Sequence, residues 1–252
     1  MPGFLQLNGR YRSDGRERSE VLTLPVAQTA LLLVDVYYND QERGDWGDPA
    51  DPFVTHFQRL EDCIALSLAA ARKAGLPVLY AMNSAPRIVL ERSAFGAHFA
   101  RSWSTDGAPD AFIHAFAEGG VDNREYCGGR SAPLKVPPRL APRGGEPYIR
   151  KHVYSAFFDS RLDTALRNLG VSALVCAGLW ANVCMAATAL DALYRNYTVV
   201  WLRDGTLAGE WGEGIATLEN TQRWLAWFEE VIGYTVTSAE FALACNAAGS
   251  QA

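Results

Sequence analysis

The residues Thr29-Ala-Leu-Leu-Leu-Val-Asp35 form an unbroken apolar run that closes on a carboxylate. A run this short, with no polar alternation, suits a strand buried on both faces, which is the habit of parallel sheets. The next stretch agrees. From Phe53 to Ala74 the apolar residues Phe57, Leu60, Ile64, Leu68 and Ala71 recur three and four apart, and Gly75 follows. That spacing predicts a long amphipathic helix with a glycine stop. Pro77-Val-Leu-Tyr-Ala-Met82 predicts a second strand, and the β-α-β order predicts a right-handed crossover in a parallel sheet.

The alternation breaks over residues 84–147, where short helices are predicted at Leu90–Arg101 and Asp110–Ala117 among loops. Ser131 to Pro147 holds five prolines in 17 residues, which excludes regular structure there. This segment is expected to be an irregular insertion over the carboxyl edge of the sheet. Order then returns with Tyr148–Lys151 as a strand and Asp159–Leu169 as a helix ended by Gly170. Ala173–Ala177 is a strand, and Val183, Ala186, Ala187, Leu190 and Leu193 share one face of a helix reaching Tyr194. A strand at Thr198–Leu202, a helix at Trp211–Glu230 and a strand at Val231–Val236 complete the pattern. Residues 1–26, with Phe4–Leu7 and Val21–Leu24 flanking a charged loop, are expected as an arm laid on the domain or on a neighbouring subunit. Residues 27–252 are expected as a single α/β domain.

Composition narrows the function classes. The net charge of −5 argues against non-specific nucleic-acid binding. No apolar run approaches the roughly 20 residues of a membrane span. The opening MPGFLQLNGRYRSDGRERSE is polar and charged, unlike a secretory signal. The five cysteines, at 63, 127, 176, 184 and 245, are odd in number and contain no CxxC pair. Reduced thiols and a cytoplasmic location are the expectation.

Three polar residues fall at or just beyond the ends of predicted parallel strands: Asp35, Lys151 and Cys184. Open α/β sheets gather such ends at one crevice. The stretch Leu174–Cys184 reads as buried strand, tight turn and helix start, with Cys184 in the first helical turn. A thiol there lies near unpaired N–H groups and the positive helix end, which favours its thiolate. A lysine beside it adds to that effect, and a carboxylate within reach takes and returns a proton. Taken singly, such residues are more often a turn cap, a solvated lysine and a small core cysteine. Their conjunction is what points to chemistry.

With these motifs the sequence resembles the isochorismatase-like cysteine hydrolases, which include nicotinamidases and N-carbamoylsarcosine, ureidoacrylate and biuret amidohydrolases. The matching stretches are Ala30–Asp35, Arg150-Lys-His-Val-Tyr-Ser-Ala-Phe-Phe158 and Cys176–Cys184 with Ala189-Leu-Asp-Ala192 behind it. Weaker similarity runs from Leu202-Arg-Asp-Gly205 to Glu219-Asn220, where ureidoacrylate-type members look closest. The resemblance implies a three-layer α/β/α fold with a mainly parallel six-stranded, Rossmann-like sheet. It also implies a triad of Asp35 as proton acceptor and donor, Lys151 as thiolate-stabilising cation and Cys184 as nucleophile. By the same carry-over a cis peptide falls between Leu179 and Trp180, and the N–H groups of Trp180 and Cys184 form an oxyanion hole. The implied reaction is attack of Cys184 on the carbonyl of a small amide or ureido substrate, with a thioester intermediate. Vinyl-ether hydrolysis of the isochorismatase type and a catalytically silent ligand-binding relative are the alternatives.

Two departures bear on substrate choice. Trp180-Ala181-Asn182 stands where relatives carry a small residue, Thr and Asn, and Asp35-Val-Tyr-Tyr-Asn-Asp40 where many carry Gln after the second residue. Candidate substrate-binding residues by position are Tyr37, Tyr38, Asn83, Phe157, Phe158 and Trp180. The nicotinamidase Asp-x-His metal pair is missing, and His56, His98, His114 and His152 have no ligand spacing, so no metal is expected. No glycine-rich nucleotide loop occurs, so no cofactor is expected. The resemblance further implies a homodimer or homotetramer.

Overall fold

The computed structural model describes residues 3–36, 52–83, 92–103 and 136–249. Its first half runs β1 (Phe4–Ser13), β2 (Arg16–Pro25), β3 (Thr29–Val34), α1 (Pro52–Ala74), β4 (Val78–Asn83) and α2 (Ala94–Trp103). The second half begins with β5 (Tyr148–Lys151), α3 (Leu162–Asn168), β6 (Ala173–Leu179) and α4 (Ala186–Tyr194). It ends with β7 (Thr198–Leu207), α5 (Gly214–Thr217), α6 (Glu219–Val231), β8 (Tyr234–Val236) and α7 (Ser238–Gly249). The strands form one sheet in the order β2-β1-β8-β7-β6-β3-β4-β5.

The six strands from β8 to β5 are mutually parallel, as the apolar runs predict. The sheet nonetheless has eight strands, because β1 pairs antiparallel with both β8 and β2. The charged stretch expected as a loop is therefore strand, turned only at Asp14 and Gly15, which have φ of 54° and 69°. An edge strand draws its order from backbone pairing and not from burial, so a solvated, charged sequence can occupy it. Arg10 reaches Glu17 diagonally across the hairpin at 3.2 Å.

Alternation along each parallel strand divides the core into two layers. Leu31, Leu33, Tyr80 and Val175 point to the side covered by α1 and α7, where Ile64, Leu68 and Phe241 meet them. Leu32, Val34, Leu174 and Trp201 point to the other side, against Leu162 and Leu166 of α3, Ala189 of α4 and Phe228 of α6. Each wholly buried leucine of β3 contributes on the order of 1.5–3 kcal/mol. Gly178 is required where β6 meets β3. Its φ is 129°, and a Cβ there would sit 1.8 Å from the Val34 carbonyl oxygen. The two strands thus close up beside Asp35.

Several boundaries differ from expectation, each for a local reason. The helix expected over Trp211–Glu230 is split at Leu218, which takes a left-handed conformation with φ 56°. The buried Glu210 carboxylate then caps α6 by accepting from the N–H groups of Asn220 at 3.0 Å and Thr221 at 2.6 Å. α7 was not expected. Its sequence is rich in alanine and shows no clear stripe, yet it packs on α1 and buries Cys245. The described end of the proline-rich segment is irregular except for one 3-10 turn, Pro138–Leu140, and is pinned to the domain. Arg72 binds Glu146 at 2.7 Å and the Ala141 carbonyl at 2.9 Å, and the Tyr80 hydroxyl donates to the Leu140 carbonyl at 2.6 Å. The helix expected at Asp110–Ala117 lies outside the described residues.

Candidate active site

Asp35 follows directly on β3 and leaves the strand region with φ 49°, a conformation aspartate tolerates better than most residues. Lys151 is the last residue of β5, and Asn83 is the last of β4 and its register partner. Between Leu179 and Trp180 the peptide is cis, where the resemblance places it. Cys184 does not begin a regular helix. It sits in a π-helical turn, Ala181–Met185, in which the N–H groups of Val183 and Met185 both donate to the Trp180 carbonyl, at 2.9 and 3.1 Å. Asn182 ties this turn to the loop after β7 by accepting from the Gly209 N–H at 3.0 Å.

These elements bring the three predicted residues into contact. Lys151 Nζ lies 2.8 Å from Asp35 Oδ2 and 3.3 Å from Cys184 Sγ. It also donates to the Val153 carbonyl at 3.3 Å and to the side-chain oxygen of Asn83. The Asn83 backbone N–H in turn donates to Asp35 Oδ1 at 3.0 Å. All three are shielded: Lys151 is 0% exposed, Asp35 1% and Cys184 4%.

Burial opposes a charge on Lys151, but the adjacent Asp35 carboxylate and Cys184 hold its pKa above the ordinary lysine value. The thiol is pulled in opposite directions. Burial pushes Cys184 up to about 12, with Lys151 pulling down and Asp35 pushing up. Loss of water thus works against the thiolate that the helix start and the cation favour. The arrangement is an ammonium touching a carboxylate and a thiol, with a proton able to move between the last two.

The segment after Lys151 is fastened to the helix after Cys184. Ser155 Oγ donates to Asp191, the Phe157 N–H donates to Ser155 Oγ at 3.1 Å, and the Ala156 N–H donates to Thr188 Oγ1 at 3.0 Å. Arg195 holds the other oxygen of Asp191 at 2.8 Å. Ser155 and Asp191 fall within the quoted motifs, so the signal for them was present, but nothing local disclosed that they pair.

The model of the isochorismatase domain matches residues 29–222. This chain belongs to the isochorismatase family. Among curated relatives it is 30% identical to the ureidoacrylate amidohydrolase RutB of Methylobacterium radiotolerans, over 92% of this chain and 88% of that protein. The RutB protein of Variovorax paradoxus is 31% identical over 75% of this chain and 72% of its own length. Solved structures with the same fold include a cysteine hydrolase from Pseudomonas syringae pv. phaseolicola, with a TM-score of 0.58 and 23% identity, covering 89% of this chain and 95% of that one. The N-carbamoylsarcosine amidase of Thermoplasma acidophilum has a TM-score of 0.53 and 23% identity, covering 84% and 96%.

In this family member the candidate substrate contacts are dispersed. Tyr37 and Tyr38 lie outside the described residues. Asn83 is at the centre, but its side-chain oxygen is engaged by Lys151. Phe157 is a core residue, its ring 5.8 Å from that of Tyr197 and 5.1 Å from the Arg195 guanidinium, near the far end of α4 from Cys184. Phe158 is turned to solvent, 58% exposed. Trp180 is half-buried and packs edge-to-face on Phe57 of α1 at 5.7 Å. Beside that pair, in the α1 layer, lies an apolar cavity of about 170 Å³ bordered by Val36, Phe57, Ile64 and Leu179, with Gln58 and Glu61 as polar groups. Among the described residues no group of three His, Cys, Asp or Glu side chains forms a metal site, and no helix is long and apolar enough to cross a membrane.

Proposed function

We propose that this protein is a cysteine-dependent amidohydrolase that cleaves a C–N bond of a small amide or ureido compound through a thioester on Cys184. The observation that carries the reading is a buried ammonium, Lys151, in contact with both the Asp35 carboxylate and the Cys184 sulfur. The names of the relatives, ureidoacrylate amidohydrolase and N-carbamoylsarcosine amidase, support the substrate class.

In this mechanism Asp35 accepts the thiol proton as Sγ attacks the carbonyl carbon, and Lys151 stabilises the sulfur as it gains negative charge. The raised thiol pKa favours proton transfer in step with attack over a standing thiolate. Backbone N–H groups of Trp180 and Cys184 would receive the oxyanion. Collapse of the tetrahedral species breaks the C–N bond, and Asp35 returns the proton to the departing ammonia or amine. Water, deprotonated by Asp35, then attacks the thioester, and the thiol recovers a proton as the acid product leaves. Trp180, braced on Phe57, would limit the size of the group next to the carbonyl.

The test is a screen of small amides and ureido compounds, ureidoacrylate among them, with ammonia as the readout. Release that Cys184→Ser abolishes is the expected result. Release that survives Cys184→Ser overturns the reading.

A further inference from the structure

Asn83 touches both charged members of the centre without carrying charge itself. Its backbone N–H holds Asp35 Oδ1 at 3.0 Å, and its side-chain oxygen accepts from Lys151 Nζ. Sheet register produces this arrangement. Asn83 pairs with Lys151 across β4 and β5, and β3 pairs with β4 up to Val34 and Ala81, which places Asp35 at the next step. The Asp35 N–H, donating to the Ala81 carbonyl at 3.0 Å, continues that ladder.

We propose that Asn83 is a positioning residue of the reaction centre, aiming Lys151 at Cys184 with a neutral oxygen while its backbone holds Asp35. This rests on the amidohydrolase reading above. A neutral acceptor fixes an ammonium without cancelling its charge, whereas a carboxylate in the same place would compete with the sulfur for it. The ionisable groups facing Lys151 are Asp35 from β3 and Cys184 from the π turn. Tyr148 lies on β5 itself, its phenol pushed up to about 12 by burial and then by Asp35. His152 points elsewhere, 3.5 Å from Asp159. Among the described residues the centre therefore balances one ammonium against one carboxylate. The Asn83→Asp substitution sets two carboxylates against that ammonium, and ionisation of the thiol then becomes harder.

The experiment follows iodoacetamide labelling of each cysteine by peptide mass mapping of the full chain between pH 7 and 9.5. It compares the wild-type protein with Asn83→Asp, Asn83→Ala and Lys151→Met. One unit of added thiol pKa is a tenfold loss of thiolate, so Asn83→Asp is expected to slow Cys184 by about tenfold or more. Asn83→Ala is expected to slow it less, and neither should change Cys176 or Cys245. A purely structural role would instead speed all the buried thiols together. Wild-type Cys184 labelling in Asn83→Asp overturns the proposal, and if that variant does not fold, wild-type labelling in Asn83→Ala does the same. Wild-type labelling in Lys151→Met overturns the pairing of lysine and thiol, and with it the amidohydrolase reading.

Discussion

Two buried carboxylates hold this molecule together in different ways. Glu229 on α6 accepts from Arg10 at 2.7 Å, Arg12 at 3.2 Å and the Thr235 hydroxyl at 2.6 Å, and so fastens the N-terminal hairpin to the domain. Asp35 forms an ion pair with Lys151 and accepts from the Asn83 N–H, with Cys184 as a further neighbour. The Glu229 partners are guanidinium groups, which keep their protons at any accessible pH, and a hydroxyl. The Asp35 partners include a lysine and a thiol, both of which can exchange a proton, at the strand ends where an open sheet forms its crevice. A saturated carboxylate with permanent cations is an anchor. One with titratable neighbours suits a proton relay, the role proposed for Asp35.

The largest expected effect separates the two sites by chemistry. Lys151→Met removes the cation proposed to stabilise sulfur, and ammonia release from a substrate found in the screen should fall by about a thousandfold, the scale of a lost electrostatic contact at a reacting centre. Glu229→Ala should leave the kcat of the folded protein within about twofold, a change of only a few tenths of a kcal/mol. Its effect falls on stability. Arg10 and Arg12, both partly solvated, lose a buried counter-charge, which costs about 1.5–3 kcal/mol, read as a drop in the urea midpoint. An anchor variant that lost kcat with its midpoint intact would dissolve the distinction.

A smaller effect, in pH, sharpens the same contrast. Cys184 and Cys176 are both raised to about 12 by burial, from an ordinary thiol value of 9.0. Between those values the unfolded chain releases thiol protons that the native state keeps, so stability falls as pH rises. Each thiol should contribute a loss of about 1.4 kcal/mol per pH unit in that window. Lys151, also raised, adds to the decline only above its ordinary value of 10.5. Urea unfolding at pH 8.5, 9.5 and 10.5 should show a shallower decline in Cys184→Ala, and an unaltered slope in Glu229→Ala. Equal slopes for all three proteins would mean that Cys184 ionises as easily folded as unfolded.

The features legible in the sequence were those set by local pattern. Continuous apolar runs marked β3, β4 and β6, and with the motif residues they located Asp35, Lys151 and Cys184 at converging strand ends. What was not legible depends on partners distant in the chain. The charged hairpin looked like a loop because its order comes from pairing and from Glu229, 219 and 217 residues away from Arg10 and Arg12. α7 escaped because an alanine-rich segment has no stripe until α1 is packed against it. The lysine contact of Asn83 spans 68 residues and follows from sheet register alone. The burial of Cys184 was not legible for a related reason. Helix start and cation are visible locally, but the burial that opposes their effect arises only when both layers close.

The most direct test of the account is intact-protein mass spectrometry after rapid acid quenching of turnover, followed by peptide mapping. With a substrate that yields ammonia, the account predicts an acyl or carbamoyl adduct on the peptide containing Cys184, present during turnover and gone once substrate is consumed. Turnover with no adduct on any cysteine, at a rate unchanged in Cys184→Ala, would contradict it.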